Sequence, residues 1–227
     1  MSLRRIALAL AAAPVVAVTA AVTAAVATGV PRRLGASRAE ARIPLPGDEL
    51  LPEAGVQNDR ARTLAASPAR VWPWIAQLGQ DKAGFYSFET LENLAGCRIT
   101  GADRVHPEWQ DVRPGDIFRL HPDVALRVAR VEPGRCLVVT SQGGDAPGEM
   151  DFATTWTFHL TAVESPTGVP STRLHLRERY ETRGASARVM IEATSVVSAL
   201  MTWRMLARLA ALTTATPEPP SRATPAR

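Results

Sequence analysis

The sequence predicts an α+β domain in which a curved antiparallel sheet wraps around a long C-terminal helix, with two short helices after the first strand. Three observations predict it. Residues 71–97 break into two short runs of helical periodicity, five β-prone runs separated by turn residues follow, and residues 187–212 carry one long apolar repeat. Two helices of about three turns cannot bury themselves, so they need the sheet to lie against.

The elements follow in order. From Asp59 to Ala66, Ala61, Thr63 and Ala65 alternate with Arg60, Arg62 and Leu64, which predicts a first strand. Ser67-Pro68 reads as an N-cap followed by proline at the first helical position, and Trp72, Ile75 and Leu78 give a helix that Gly79 ends. Phe88, Leu91, Leu94 and Ala95 repeat at helical spacing, with Ser87 as cap and Gly96 as stop. Strands are expected at 116–121, 125–131, 136–141, 152–160 and 172–182, with turns at Pro122-Asp123, Glu132-Pro133-Gly134, 142–148 and 164–170. Met190, Thr194, Val197, Met201, Met205 and Leu209 predict the closing helix, about seven turns at 3.6 residues each. One helix cannot fill the concave face of a large twisted sheet, so a cavity is expected between them.

The ends differ in kind. Residues 6–30 carry no charge and consist mostly of Ala and Val, with Arg4 and Arg5 before them and Arg32 and Arg33 after. A bilayer span needs roughly 20 apolar residues, so an N-terminal transmembrane helix (1–31) is expected, with the membrane as partner through 6–30. The alternative is a secretory signal cleaved near Ala27, where Ala25-Val26-Ala27 is a small-x-small site, although signal h-regions run to only about 7–15 residues. Arg32, Arg33, Arg38 and Arg42 outnumber Arg4 and Arg5, which puts the main domain in the cytoplasm. Residues 32–57 read as a proline-rich linker pinned by Leu50 and Leu51, 58–212 as the folded domain, and 213–227 as a disordered tail.

The net charge of +4 is misleading, because between Asn58 and Leu212 there are 18 basic and 17 acidic residues. A nearly neutral domain argues against nucleic acid. Cys97 and Cys136 lack CxxC spacing and read as free thiols, or as one disulfide in an exported protein. The four histidines make no metal-ligand spacing, GxSxG is absent, and Gly143-Gly144 lacks the rest of a phosphate loop, so neither a metal nor a cofactor is indicated.

From about Leu45 to Leu209 the chain resembles the START-like SRPBCC superfamily, and within it the polyketide cyclase/dehydrase-like proteins. The matching pieces are PGDELLP at 46–52, VWPWIAQLGQDKAGFYSFETLENLAG at 71–96, ADRVHPEWQDVRPGD at 102–116, VEPGRCLVV at 131–139 and TRLHLRERY at 172–180. The resemblance implies the helix-grip fold and an apolar ligand pocket. It implies no single reaction, because members carry lipids, bind hormones or cyclise polyketides.

Glu178 is the most informative position. It shares the inward face of Thr172, Leu174, Leu176 and Tyr180, while Arg173, His175, Arg177 and Arg179 face the other way. An inward carboxylate serves as a pocket acid, or belongs to a structural ion pair with Arg127 or Arg104, or sits at a strand end already in solvent. Trp156 and Phe158 point into the same interior and are ligand-stacking candidates or plain core. Met190, Met201 and Met205 are pocket wall or core filling. His106 and Glu108, two apart in 103–111, are acid/base candidates, with Trp109 beside them a ligand contact or a loop anchor. Tyr86, at the elbow between the short helices, is a ligand donor or a packed tyrosine. The function expected is membrane-tethered binding or transport of a small hydrophobic ligand, whether lipid, isoprenoid or polyketide-like. The alternative is a polyketide cyclase or dehydratase using Glu178, or His106 with Glu108, as acid/base groups.

Overall fold

A computed structural model of the chain describes residues 29, 31–142, 151–165 and 168–216. The expected N-terminal span, 1–31, therefore lies, apart from residues 29 and 31, outside the described residues, as does the tail beyond 216. The elements are β1 (Val56–Leu64), α1 (Pro68–Ala76), α2 (Glu89–Leu94), β2 (Ile117–His121), β3 (Val124–Glu132), β4 (Cys136–Thr140), β5 (Phe152–Val163), β6 (Ser171–Thr182) and α3 (Ala185–Ala215). The strands form one six-stranded antiparallel sheet in the order β1-β6-β5-β4-β3-β2, so the first strand closes against the last. The helix-grip order is thus present, with α3 packed against β1 and β6 and α1 beside it.

Strand alternation sorts β6 as its sequence indicates. Leu174, Leu176 and Glu178 stand beside Leu160, Phe158 and Trp156 of β5, and this face looks toward α3. On the other face, Asp59 of β1 lies opposite Arg177 and forms a short ion pair with Arg177 Nε (2.7 Å) and a hydrogen bond with His175 Nε2 (2.8 Å). β1 begins at Val56, three residues before its expected start.

Residues 31–55 do more than space the domain. Arg177 reaches Asp48 at 2.6 Å, Arg173 reaches Glu40 at 2.7 Å, and Thr157 Oγ1 donates to the Pro46 carbonyl at 2.9 Å. These contacts strap the segment over the outer face of the sheet, with Leu45 and Leu51 buried beneath it and Leu50 only half-buried. Gly47 makes the approach possible, because a Cβ there would stand 2.5 Å from Val138 Cγ1.

α1 forms as expected: the Ser67 hydroxyl accepts from the Arg70 amide, and Pro68 occupies the first turn. α2 departs from its apolar periodicity. Its N-cap is Phe88 and not Ser87, Leu91 and Leu94 face solvent (48% and 84% exposed), and Glu92 is buried (4% exposed). The rotation is fixed by Asn93, whose Nδ2 donates to the Ile99 carbonyl while its Oδ1 accepts from the Ile99 amide.

α3 runs to Ala215, three residues past its expected end, and buries Ile191, Ser195, Ala199, Thr202, Met205 and Leu209. Three small residues in that stripe bring the helix close to β1, where the Asn58 amide reaches Ser195 Oγ at 3.0 Å. The buried stripe is therefore rotated from the one expected, and Met190 is left about half exposed. α3 is also long and apolar enough to cross a membrane, by length and composition alone.

Candidate functional site

Between the concave face, α2 and α3 lies a cavity of about 480 Å³. Leu126, Met201 and Met205 contribute aliphatic wall, while Phe85, Phe152, Trp156 and Tyr180 contribute rings. The rings hold one another: Trp156 lies 6.1 Å from Phe85 and, edge-on, 6.1 Å from Phe118, and Phe152 meets Tyr180 edge-on at 6.0 Å. Apolar walls with few polar groups, at this volume, are the usual make-up of a small-molecule pocket.

Glu178 does line the cavity, but it is fully committed. Arg60 Nη1 donates to Oε1 at 2.6 Å and Ser198 Oγ at 2.7 Å, while Asn58 Nδ2 and the Tyr180 hydroxyl reach Oε2 at 3.1 and 3.3 Å. The ion-pair alternative is therefore the one realised, with Arg60 as partner and not Arg127 or Arg104. Arg60 is itself tied down, because its Nε donates to the Pro31 carbonyl and its Nη2 to the Ser195 carbonyl. Burial and the neighbouring Glu178 charge raise the Tyr180 phenol well above its ordinary pKa, so it is a neutral donor.

The polar groups left over are elsewhere. Both carboxylate oxygens of Glu92, the Ser87 hydroxyl and the Trp156 indole N–H are buried and have no hydrogen-bond partner, and all three residues line this cavity. Burial, reinforced by the Glu89 charge, pushes the Glu92 carboxyl up to about 7. Periodicity hid Glu92 by assigning the buried face of α2 to Leu91 and Leu94. The available signal was its i, i+4 relation to Phe88, which puts the two on one side of the helix.

The other expected site residues divide. Trp156 and Met201 line the cavity, whereas Phe158 packs under Trp156, 4.4 Å ring to ring, as fully buried core. Met190 lies outside the lining because α3 turns it to solvent. Tyr86 is also outside: its hydroxyl accepts from Gln77 Nε2 at 2.7 Å and donates to the Trp74 carbonyl at 3.2 Å, which locks the elbow. There the chain also needs Gly84, where a Cβ would meet Ile99 Cγ2 at 2.3 Å.

His106 and Glu108 do come together, with Nδ1 and Oε1 3.0 Å apart and the imidazole stacked on Trp109 at 4.2 Å. They sit apart from the cavity lining: His106 and Trp109 border a broad surface depression with Lys82, Arg98, Arg104 and Arg119. The Glu108 carboxyl is exposed, and its pKa is lowered by backbone and His106 hydrogen bonds. Cys97 and Cys136 are free thiols, and the described residues contain no group of side chains arranged to hold a metal.

No family model matches the chain, and no curated protein matches it. Solved structures do. A Mesorhizobium loti protein shares 19% identity over 71% of this chain and 99% of its own, with a TM-score of 0.39. A Chromobacterium violaceum protein shares 17% over 70% and 98%, with a TM-score of 0.41. A START superfamily protein from Mycobacterium smegmatis shares 16% over 70% and 99%, with a TM-score of 0.39. No functional argument rests on likenesses of this size. The helix-grip arrangement of this chain stands on its own strand order and on the seating of α3.

Proposed function

We propose that the domain binds a small, largely apolar molecule in the cavity between the sheet and α3, next to a bilayer. The carrying observation is the cavity itself, about 480 Å³, walled by aromatic and aliphatic side chains. Two further observations support the bilayer. Arg32, just after the uncharged 6–30 stretch in sequence, is ion-paired with Glu192 of α3. Along the same helix Val189, Met190, Val197, Leu200 and Trp203 are exposed within a sector of about 140° at 100° per residue. Such a face, apolar except for exposed Arg204 within it and Arg208 at its edge, suits a lipid surface, and Val197 also lines the cavity, so ligand passes from lipid to pocket along α3. A tether there raises the local concentration of any lipid-like ligand.

A second reading, an acid–base enzyme, is favoured by one observation, the Glu92 carboxyl with a pKa near neutrality. Neither Glu178, held by four donors, nor the surface His106–Glu108 pair supports it.

The test is native mass spectrometry with solvent extraction of the purified full-length chain. An apolar molecule at one per chain is expected, lost when Met201→Trp fills the cavity. A folded wild type that is empty, and stays empty after incubation with a lipid extract, sinks the binding reading.

A further inference from the structure

We propose that Glu92, Ser87 and the Trp156 indole form the head-group site of this cavity, and that they select an apolar molecule ending in an uncharged hydroxyl. The inference rests on the binding reading above and names the chemistry of its ligand.

Buried polar groups are almost always paired, and leaving one unpaired forfeits the hydrogen bonds it made to water. Within one cavity, Glu178 has four donors while Glu92, Ser87 and Trp156 have none. The placement of Glu92 is not accidental slack in a loop end, because the reciprocal Asn93–Ile99 bonds fix the rotation of α2 and Arg204 lies over the neighbouring Phe88 ring, 5.8 Å from its centroid. A short helix that turns two leucines to water and a carboxyl inward gives up apolar burial, and a ligand group that meets the carboxyl offsets that loss.

The three groups then define what fits. The indole N–H only donates, the carboxylate only accepts, and the serine hydroxyl does either. A hydroxyl matches both kinds of group, since it can accept from the Trp156 N–H and donate to Glu92, and Ser87 can meet either of its roles. A carboxylate or phosphate head meets the like charge of Glu92, with Glu89 close behind. The lining does include His121, but its Nε2 lies 3.1 Å from the Ala95 carbonyl and its Nδ1 3.5 Å from Asp123. A primary ammonium satisfies Glu92 but opposes the Trp156 N–H. A plain hydrocarbon leaves all three groups unpaired.

Isothermal titration of the full-length chain at pH 8 with 1-decanol, decanoate and decylamine separates these cases, since the three probes share one tail. Decanol is expected to bind at least about tenfold tighter than either, the worth of one well-made buried hydrogen bond. Glu92→Leu is expected to remove most of that preference and Trp156→Phe part of it, while Glu92→Gln, which keeps an acceptor but removes the charge, retains the preference over decylamine and loses that over decanoate. Decanoate binding as tightly as decanol overturns the proposal, as does a decanol preference unchanged in Glu92→Leu. Decylamine binding tightest overturns the hydroxyl assignment in favour of a cationic head. Equal binding of all three overturns the head-group site and leaves the apolar pocket standing. Binding of none of them, by a chain that also stays empty in lipid extract, overturns the pocket as well.

Discussion

Replacing Glu92 by Gln should stabilise the protein, and by an amount that depends on pH. Burial and the neighbouring Glu89 charge raise its pKa from 4.5 to about 7, so the folded state holds a proton that the unfolded state releases. This reverses the usual carboxylate case. Below pH 4.5 both states are protonated and the side chain costs nothing through ionisation. As pH rises from 4.5 to 7 the folded state becomes progressively less stable, and above 7 the penalty is constant. The difference between 4.5 and about 7 corresponds to about 3 kcal/mol, a ceiling that any water admitted to the cavity lowers. Glutamine keeps the shape and removes the charge. Urea unfolding of the ligand-free full-length chain should therefore show Glu92→Gln more stable than wild type by about 2–3 kcal/mol at pH 8, narrowing to under about 1 at pH 5. In thermal melts that is about 4–12 °C at pH 8, at about 2–4 °C per kcal/mol for a chain of this size. The Cys97 thiol, raised by burial and then by the Glu92 charge, loses only the second influence in the variant. An equal difference at both pH values, or a Gln variant weaker at pH 8, refutes the buried, unpaired state of Glu92.

Three other outcomes follow from the ion pairs and surfaces. Glu178→Ala strands the Arg60 guanidinium, whose side chain is 1% exposed, and should cost about 3–5 kcal/mol in urea unfolding; a loss under about 1 would mean water reaches the pair. Asp59→Asn should be comparably damaging. Burial pushes the Asp59 pKa up, but hydrogen bonds from His175, Gln57 and Arg177 outweigh it and hold the carboxyl below its ordinary value. Its stabilisation is thus present above the unfolded pKa and is lost as pH falls toward the lowered folded value, so the gap between wild type and Asn variant should narrow in acid; a gap as wide at pH 3 as at pH 7 would contradict this. If the outer face of α3 rests on lipid, brominated phosphatidylcholine should quench the fluorescence of Trp203, measured as the difference between wild type and Trp203→Phe. An unquenched Trp203 detaches that face from the bilayer.

The order of elements was legible because each is written by local rules: Ser67-Pro68 starts α1, turn residues separate the strands, and β6 alternates without a break. The site was only half legible. Period two correctly placed Glu178 and Trp156 on the inner face, but no sequence rule says which cross-strand neighbour satisfies a carboxylate. Arg60 does so from a strand 118 residues away in the chain, across the β1–β6 closure. α2 misled for the opposite reason. Six residues are too few for intrinsic periodicity to set a rotation, and the Asn93–Ile99 clasp and the loop after Gly96 decided it. α3 misled because closeness to β1 favours Ser195, Ala199 and Thr202 at its contact, small residues that a search for large apolar side chains passes over.

These differences share one cause, and it bears on how the cavity stays open. Rigid walls are needed around a space that the protein's own side chains do not fill, since a flexible wall collapses into it. β6 supplies the rigidity from both faces: outward, Arg173, His175 and Arg177 are tied to Glu40, Asp59 and Asp48, and inward, Glu178 is tied through Arg60 to Ser195 and Ser198 of α3. The strap over the outer face and the grip on the helix thus meet in one strand. Because a strand alternates faces at every residue, a single-residue slip of β6 would bring Arg177 inward and Glu178 under the strap, breaking both sets of pairs at once. Register and cavity are therefore specified together. That leaves α2, held by one asparagine and carrying the unpaired Glu92, as the wall whose contacts a ligand is free to complete.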